Sequence, residues 1–138
     1  MLSGEVRRIA ESICEHVSSA DMINVSDIKY SSHRGENFKN GLYFVYDEFS
    51  NVIYIGMISD GKRTSLYDRF IGHGSGCHKH STWYNQACTV RFFRFNELNT
   101  EQLRLAERVA ILAKLPVGND GNTNEDRILS MLGDAFVK

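Results

Sequence analysis

Residues 41–73 read GLYFVYDEFSNVIYIGMISDGKRTSLYDRFIGH, and this stretch decides the fold. Two short apolar runs, Leu42–Tyr46 and Val52–Ile55, are rich in β-branched and aromatic residues. The five residues between them, Asp47-Glu48-Phe49-Ser50-Asn51, are mostly polar and turn-like. Runs joined this way predict an antiparallel hairpin. Each predicted strand carries a tyrosine near a glycine: Gly41-Leu42-Tyr43 on the first, Tyr54-Ile55-Gly56 on the second. A polar loop follows, Ser59-Asp60-Gly61-Lys62-Arg63-Thr64, with Asp-Gly as its turn signal. Ser65 then suits the N-cap of a helix, with Asp68 favouring the helix N-terminus. Leu66 and Phe70 are its inward residues. Arg69 and His73 lie four apart and share another face. Gly72 and Gly74 bracket His73, so the helix is expected to end there.

Further along, residues 74–87 combine glycine, imidazole, lysine and two aromatics, the least core-like composition in the chain. Lys79, His80, Trp83 and Tyr84 suit a nucleic-acid groove or stacking on a displaced base, while Trp83 equally suits an anchor to the core. Cys77, His78, His80 and Cys88 lack the two tight ligand pairs of a structural zinc site. Residues 89–95, Thr-Val-Arg-Phe-Phe-Arg-Phe, predict a third strand. Asn99 or Thr100 can cap a second helix, apolar from Leu103 to Leu115 and ended by Pro116. Glu107 stands in the middle of that apolar run, either as a surface residue or as a ligand.

Taken together, Gly41-Leu42-Tyr43, Tyr54-Ile55-Gly56 and Arg69-x-x-x-His73 resemble the GIY-YIG nucleases, with Leu in place of Ile in the first triplet. The resemblance spans roughly residues 41–122. It implies an α+β fold: a small three-stranded antiparallel-type sheet flanked by helices. It also implies a metal-dependent DNA endonuclease that hydrolyses phosphodiester bonds with one divalent ion, Mg2+ or Mn2+. By the same resemblance Glu107 is the metal ligand, with Glu101 and Glu97 fitting less well at or before the helix start. Tyr43 activates the water, Arg69 stabilises charge on the phosphate, and Tyr54 and His73 position groups or relay a proton. Asn119 is brought back to the site after Pro116, in preference to Asn122. Many members carry a basic residue just after the second glycine. Here Met57 and Ile58 stand in those places, and Lys62 or Arg63 would supply the charge from the loop. The set implied is thus Tyr43, Tyr54, Arg69, His73, Glu107 and Asn119, with Lys62, Arg63, Lys79, His80, Trp83 and Tyr84 toward nucleic acid.

Upstream, Val6, Ile9, Ile13, Cys14 and Val17 form an apolar stripe that predicts a helix over residues 1–20, outside the family core. Residues 21–40 read as a connector. Residues 1–40 are therefore expected to pack on a nuclease-like unit at 41–138, the whole forming one globular unit. Ile128, Leu129, Leu132 and Phe136 predict a short packing helix in the tail.

The chain of 138 residues can bury a core without disulfide help. No apolar run reaches the ~20 residues of a membrane span, and the charged N-terminus does not read as a secretory signal. Three cysteines cannot all pair, which points to a reducing, cytoplasmic setting. The net charge of −1 hides a local excess: residues 61–94 hold six Lys or Arg against Asp68 alone, +5 against −6 elsewhere. A basic region of this kind is the expected footprint of a phosphate backbone. DNA is the expected partner, and cutting both strands implies a homodimer or two successive nicks. A catalytically silent nucleic-acid-binding module and a protein-interaction domain are the competing readings.

Overall fold

The structure is a computed structural model that describes residues 3–33, 35–60, 65–71, 83–114 and 125–136. Helix α1 (Gly4–Ser18) is capped by the Ser3 side chain, which accepts from the Val6 N–H, and buries the predicted stripe. Strand β1 (Met22–Asn24) and the short helix α2 (Tyr30–His33) follow. The hairpin comes next as β2 (Gly41–Tyr46) and β3 (Val52–Ile58), then α3 (Leu66–Phe70). Strand β4 (Thr89–Arg94), α4 (Thr100–Lys114) and α5 (Glu125–Phe136) complete the chain.

The fold is α+β, but the sheet has four strands in the order β1-β4-β2-β3, all antiparallel, where three were expected. The added strand lies within residues 21–40, read from sequence as connector. Met22, Ile23 and Asn24 pair with Arg91, Val90 and Thr89 and cover the outer edge of β4. Three residues are too few to show an alternating pattern, so the strand carries no sequence signal of its own. Its position makes β2 and β4 central and leaves β3 at an edge.

The two sheet faces belong to different cores. Leu42, Phe44, Tyr46 and Ile55 pack against α1, α4 and α5. Tyr43, Val45, Ile53, Val90 and Phe92 pack with Leu66 and Phe70 of α3 and with Trp83. Pairing follows the alternation of side chains, with Tyr43 opposite Gly56 and Phe44 opposite Ile55. The register shifts between Val45 and Tyr46, so Tyr54 pairs with Val45 while Val52 pairs with Tyr46. This bulge puts Ile53 and Tyr54, neighbours in sequence, on the same face as Tyr43.

The hairpin turn is held by Asp47, whose carboxylate accepts from the N–H groups of Phe49 and Asn51, both at 2.9 Å. These bonds hold its pKa below the ordinary carboxylate range. Asn99 and Gln102 cap α4 reciprocally, each side chain accepting from the other's backbone N–H. Arg127 on α5 reaches Glu101 on α4 at 2.7 Å.

Two arginines counted in the basic region serve the fold. Arg91 donates to the Ala20 carbonyl and lies over the Tyr46 ring. Arg94 donates to the Glu36 carbonyl at 2.8 Å. Lys62, Arg63, Lys79 and His80 lie outside the described residues. Among the described residues no helix is long and apolar enough to cross a membrane.

Candidate active site

Both glycines of the two triplets are required by packing. A Cβ at Gly41 would lie 2.0 Å from the Phe93 carbonyl oxygen and 2.6 Å from the Phe92 ring. A Cβ at Gly56 would lie 2.3 Å from both the Cζ and the hydroxyl oxygen of Tyr43. The Tyr43 phenol therefore crosses the neighbouring strand at the one residue without a side chain. It is 1 % exposed and meets Phe70 of α3 edge-on, with ring centroids 5.6 Å apart.

Tyr54 lies beside it, with ring centroids 6.1 Å apart. The two hydroxyls are hydrogen-bonded to each other. Burial pushes the pKa of Tyr43 well above the usual phenol range, with the Tyr54 and Glu107 charges adding to it and Arg69 opposing it. Tyr54 is raised too, by burial first and then by Glu107, with Arg69 and the Tyr43 hydroxyl opposing.

Arg69 comes from α3, a helix of only five residues that needs a strong cap. Ser65 supplies it: its hydroxyl accepts from the Asp68 N–H, and the Asp68 carboxylate accepts from the Ser65 N–H at 3.1 Å and from its hydroxyl at 2.7 Å. Ser65 and Asp68 are both buried. Leu66 and Phe70 anchor the inward side, as the spacing predicts, and Arg69 is left on the flank. Its Nε is buried without a hydrogen-bond partner among the described residues. A buried donor left in that state costs about 1–3 kcal/mol, so this edge of the guanidinium is suited to an incoming oxygen.

Glu107 approaches from α4. Its carboxylate accepts a hydrogen bond from the backbone N–H of Met57, a residue of edge strand β3. Burial raises its pKa, opposed by Arg108, the Met57 bond, Arg104 and Arg69. Met57 thus orients the acid through its main chain. Arg104 and Arg108 flank the acid on α4, outside the basic stretch of residues 61–94.

Tyr43, Tyr54, Arg69 and Glu107, drawn from β2, β3, α3 and α4, thus lie within electrostatic reach of one another. His73 and Asn119, with the alternative Asn122, lie outside the described residues. Helix α3 runs Leu66–Phe70, with Ile71 as C-cap. No family model, curated protein or solved structure matches the chain.

Trp83 is placed differently from a base-stacking platform. It is 6 % exposed and stacks on Tyr54, with ring centroids 4.3 Å apart and planes 13° from parallel. Tyr84 is half-buried, and its hydroxyl donates to the Phe70 carbonyl at 3.3 Å. Both aromatics face inward because the 3-10 turn over Tyr84–Gln86 folds them onto β3 and α3. This is the anchoring arrangement that the sequence also allowed for Trp83. Cys88, which lacks the spacing of a structural zinc ligand, is a free and exposed thiol.

Among the described residues no three His, Cys, Asp or Glu side chains gather into a metal-binding group. A cation at this site would have Glu107 as its one carboxylate ligand from these residues. A single hard oxygen donor, partly desolvated, fits a Mg2+-type ion that retains most of its water.

Proposed function

We propose that the chain is a metal-dependent endonuclease of the GIY-YIG type, hydrolysing phosphodiester bonds in DNA. The observation that supports this reading is that Tyr43, Tyr54, Arg69 and Glu107, from four separate elements, lie within electrostatic reach of one another. A purely structural tyrosine needs one hydrogen-bond partner. It does not need a neighbouring arginine with a buried, unbonded Nε and a desolvated carboxylate. On this reading β4-β2-β3 is the family's three-stranded sheet, and β1 is an addition on its outer side.

Each residue has a task that its surroundings support. The Arg69 Nε meets a phosphate oxygen and offsets charge as it develops at phosphorus. Glu107 would hold a divalent ion, which would supply positive charge at the phosphate and the leaving oxygen. One phenol of the Tyr43–Tyr54 pair, once ionised, would take the attacking water's proton, phenolate becoming phenol as the water becomes the hydroxide that attacks phosphorus; Tyr54 is the less buried residue of the two. Nicking of supercoiled plasmid in Mg2+ or Mn2+ tests the reading, and loss of nicking in Glu107→Ala is expected.

A second reading has its own observation. Tyr43 is buried and its pKa is raised rather than lowered, the opposite of what an activated base requires. That favours a silent nucleic-acid-binding module of the same fold. Salt-dependent DNA binding with no cleavage in any divalent metal distinguishes it.

A further inference from the structure

Trp83 and Tyr84 are adjacent in sequence and touch two different site elements. The indole lies flat against the Tyr54 ring at 4.3 Å. The phenol of Tyr84 reaches the other way, donating to the carbonyl of Phe70, the residue after Arg69. Its ring also lies 6.3 Å from that of Phe70. One dipeptide thus braces the strand residue Tyr54 and the last turn of the helix carrying Arg69. The helix needs such a brace, because five residues are too few to be stable alone.

We propose that Trp83 and Tyr84 form a positioning clamp that sets the Tyr54 hydroxyl against the Arg69 guanidinium for phosphodiester cleavage, an inference that rests on the endonuclease reading above. The stack fixes the plane of the Tyr54 ring and shields one of its faces from water. The Phe70 bond uses a carbonyl at the C-terminal end of α3, where the helix has no further turn to satisfy it. Together they hold two reacting groups that no continuous secondary structure connects. The clamp acts on Tyr54 and Arg69 rather than on the substrate, so its loss is expected to affect the chemical step and not DNA affinity.

The test compares steady-state plasmid nicking by the wild type with Trp83→Leu, Trp83→Phe and Tyr84→Phe. Misplacing reacting groups by an ångström can cost about 100-fold. Trp83→Leu is expected to lower kcat by about 10- to 100-fold with KM unchanged. Trp83→Phe, which can still stack, restores most of that loss. Tyr84→Phe keeps its ring and loses only the hydroxyl, and it too lowers kcat alone. Wild-type kcat in all three variants, beside loss of activity in Tyr54→Phe, overturns the clamp and leaves the endonuclease reading standing. No nicking by the wild type overturns the endonuclease reading, and the clamp's role with it. Because Trp83 is the one tryptophan in the chain, its emission reads the contact without any activity. Tyr54→Leu should shift that emission to the red and Tyr54→Phe should not. Unchanged emission in Tyr54→Leu contradicts the clamp.

Discussion

The hydroxyl oxygen of Tyr43 lies 2.3 Å from where Gly56 would place a Cβ, so the phenol and the glycine fit only as a pair. The first triplet supplies the ring and the second supplies the space under it. Gly56→Ala forces a buried aromatic ring to move within a packed core. We expect a loss of about 1–3 kcal/mol in stability, measured by denaturant unfolding. The Tyr43–Tyr54 hydrogen bond should be lost with it, so nicking should fall even where the variant remains folded.

Glu107 gives a pH signature in stability. Burial raises its folded pKa above that of a glutamate in the unfolded chain. The folded state therefore holds its proton to higher pH than the unfolded state does. Stability contributed by the neutral acid is present below the unfolded value and is lost as pH rises through the folded value. Glu107→Gln keeps the shape and cannot ionise. It should match wild type in acid and exceed it in unfolding midpoint near neutrality. Thermal unfolding at a series of pH values checks this, and parallel curves would contradict the burial of the charge.

Tyr43 and Tyr54 act at the alkaline end. Both are raised in the folded protein, Tyr43 the more strongly. The unfolded chain therefore loses its phenolic protons first as pH rises through about 10, and stability falls from there. Tyr43→Phe should flatten that alkaline decline. It should also abolish nicking if Tyr43 moves the water's proton. Full activity in Tyr43→Phe assigns that step to Tyr54.

Helix α3 depends on its cap. Removing the Ser65 hydroxyl takes a bond from the Asp68 N–H and another from the Asp68 carboxylate. Ser65→Ala should cost about 1–2 kcal/mol and reduce activity by misplacing Arg69. Arg69→Lys keeps the charge but cannot supply Nε, and it should reduce kcat by about 100-fold or more. Circular dichroism and nicking rates together separate the two effects.

Much of this arrangement was legible in the sequence, because it rests on local rules. The hairpin, the Ser65 cap, the helix stopped before Pro116 and the tail helix each have a strong periodic or capping signal. The elements carrying Tyr43, Tyr54, Arg69 and Glu107 were legible too, and the resemblance to the GIY-YIG pattern singled these four residues out on them. What the sequence did not carry was set by tertiary contacts. Strand β1 exists because β4 has an edge to cover, and three residues cannot announce it. Arg91 and Arg94 count as positive charge in a sequence map, yet the fold uses both on backbone carbonyls. Trp83 faces Tyr54 because a turn directs it inward, and its composition alone fits solvent or core equally well. Arg104 and Arg108 flank Glu107 because α4 puts them there.

The most direct test of the central claim is a nicking assay on supercoiled plasmid, with purified wild type and folded Glu107→Gln side by side. Mg2+ and Mn2+ are each supplied and then removed with a chelator. The account predicts nicked circles from the wild type with metal, none with chelator, and at least about a 100-fold slower reaction from Glu107→Gln. Equal cleavage by both proteins, or an intact plasmid from the wild type in either metal, would contradict it.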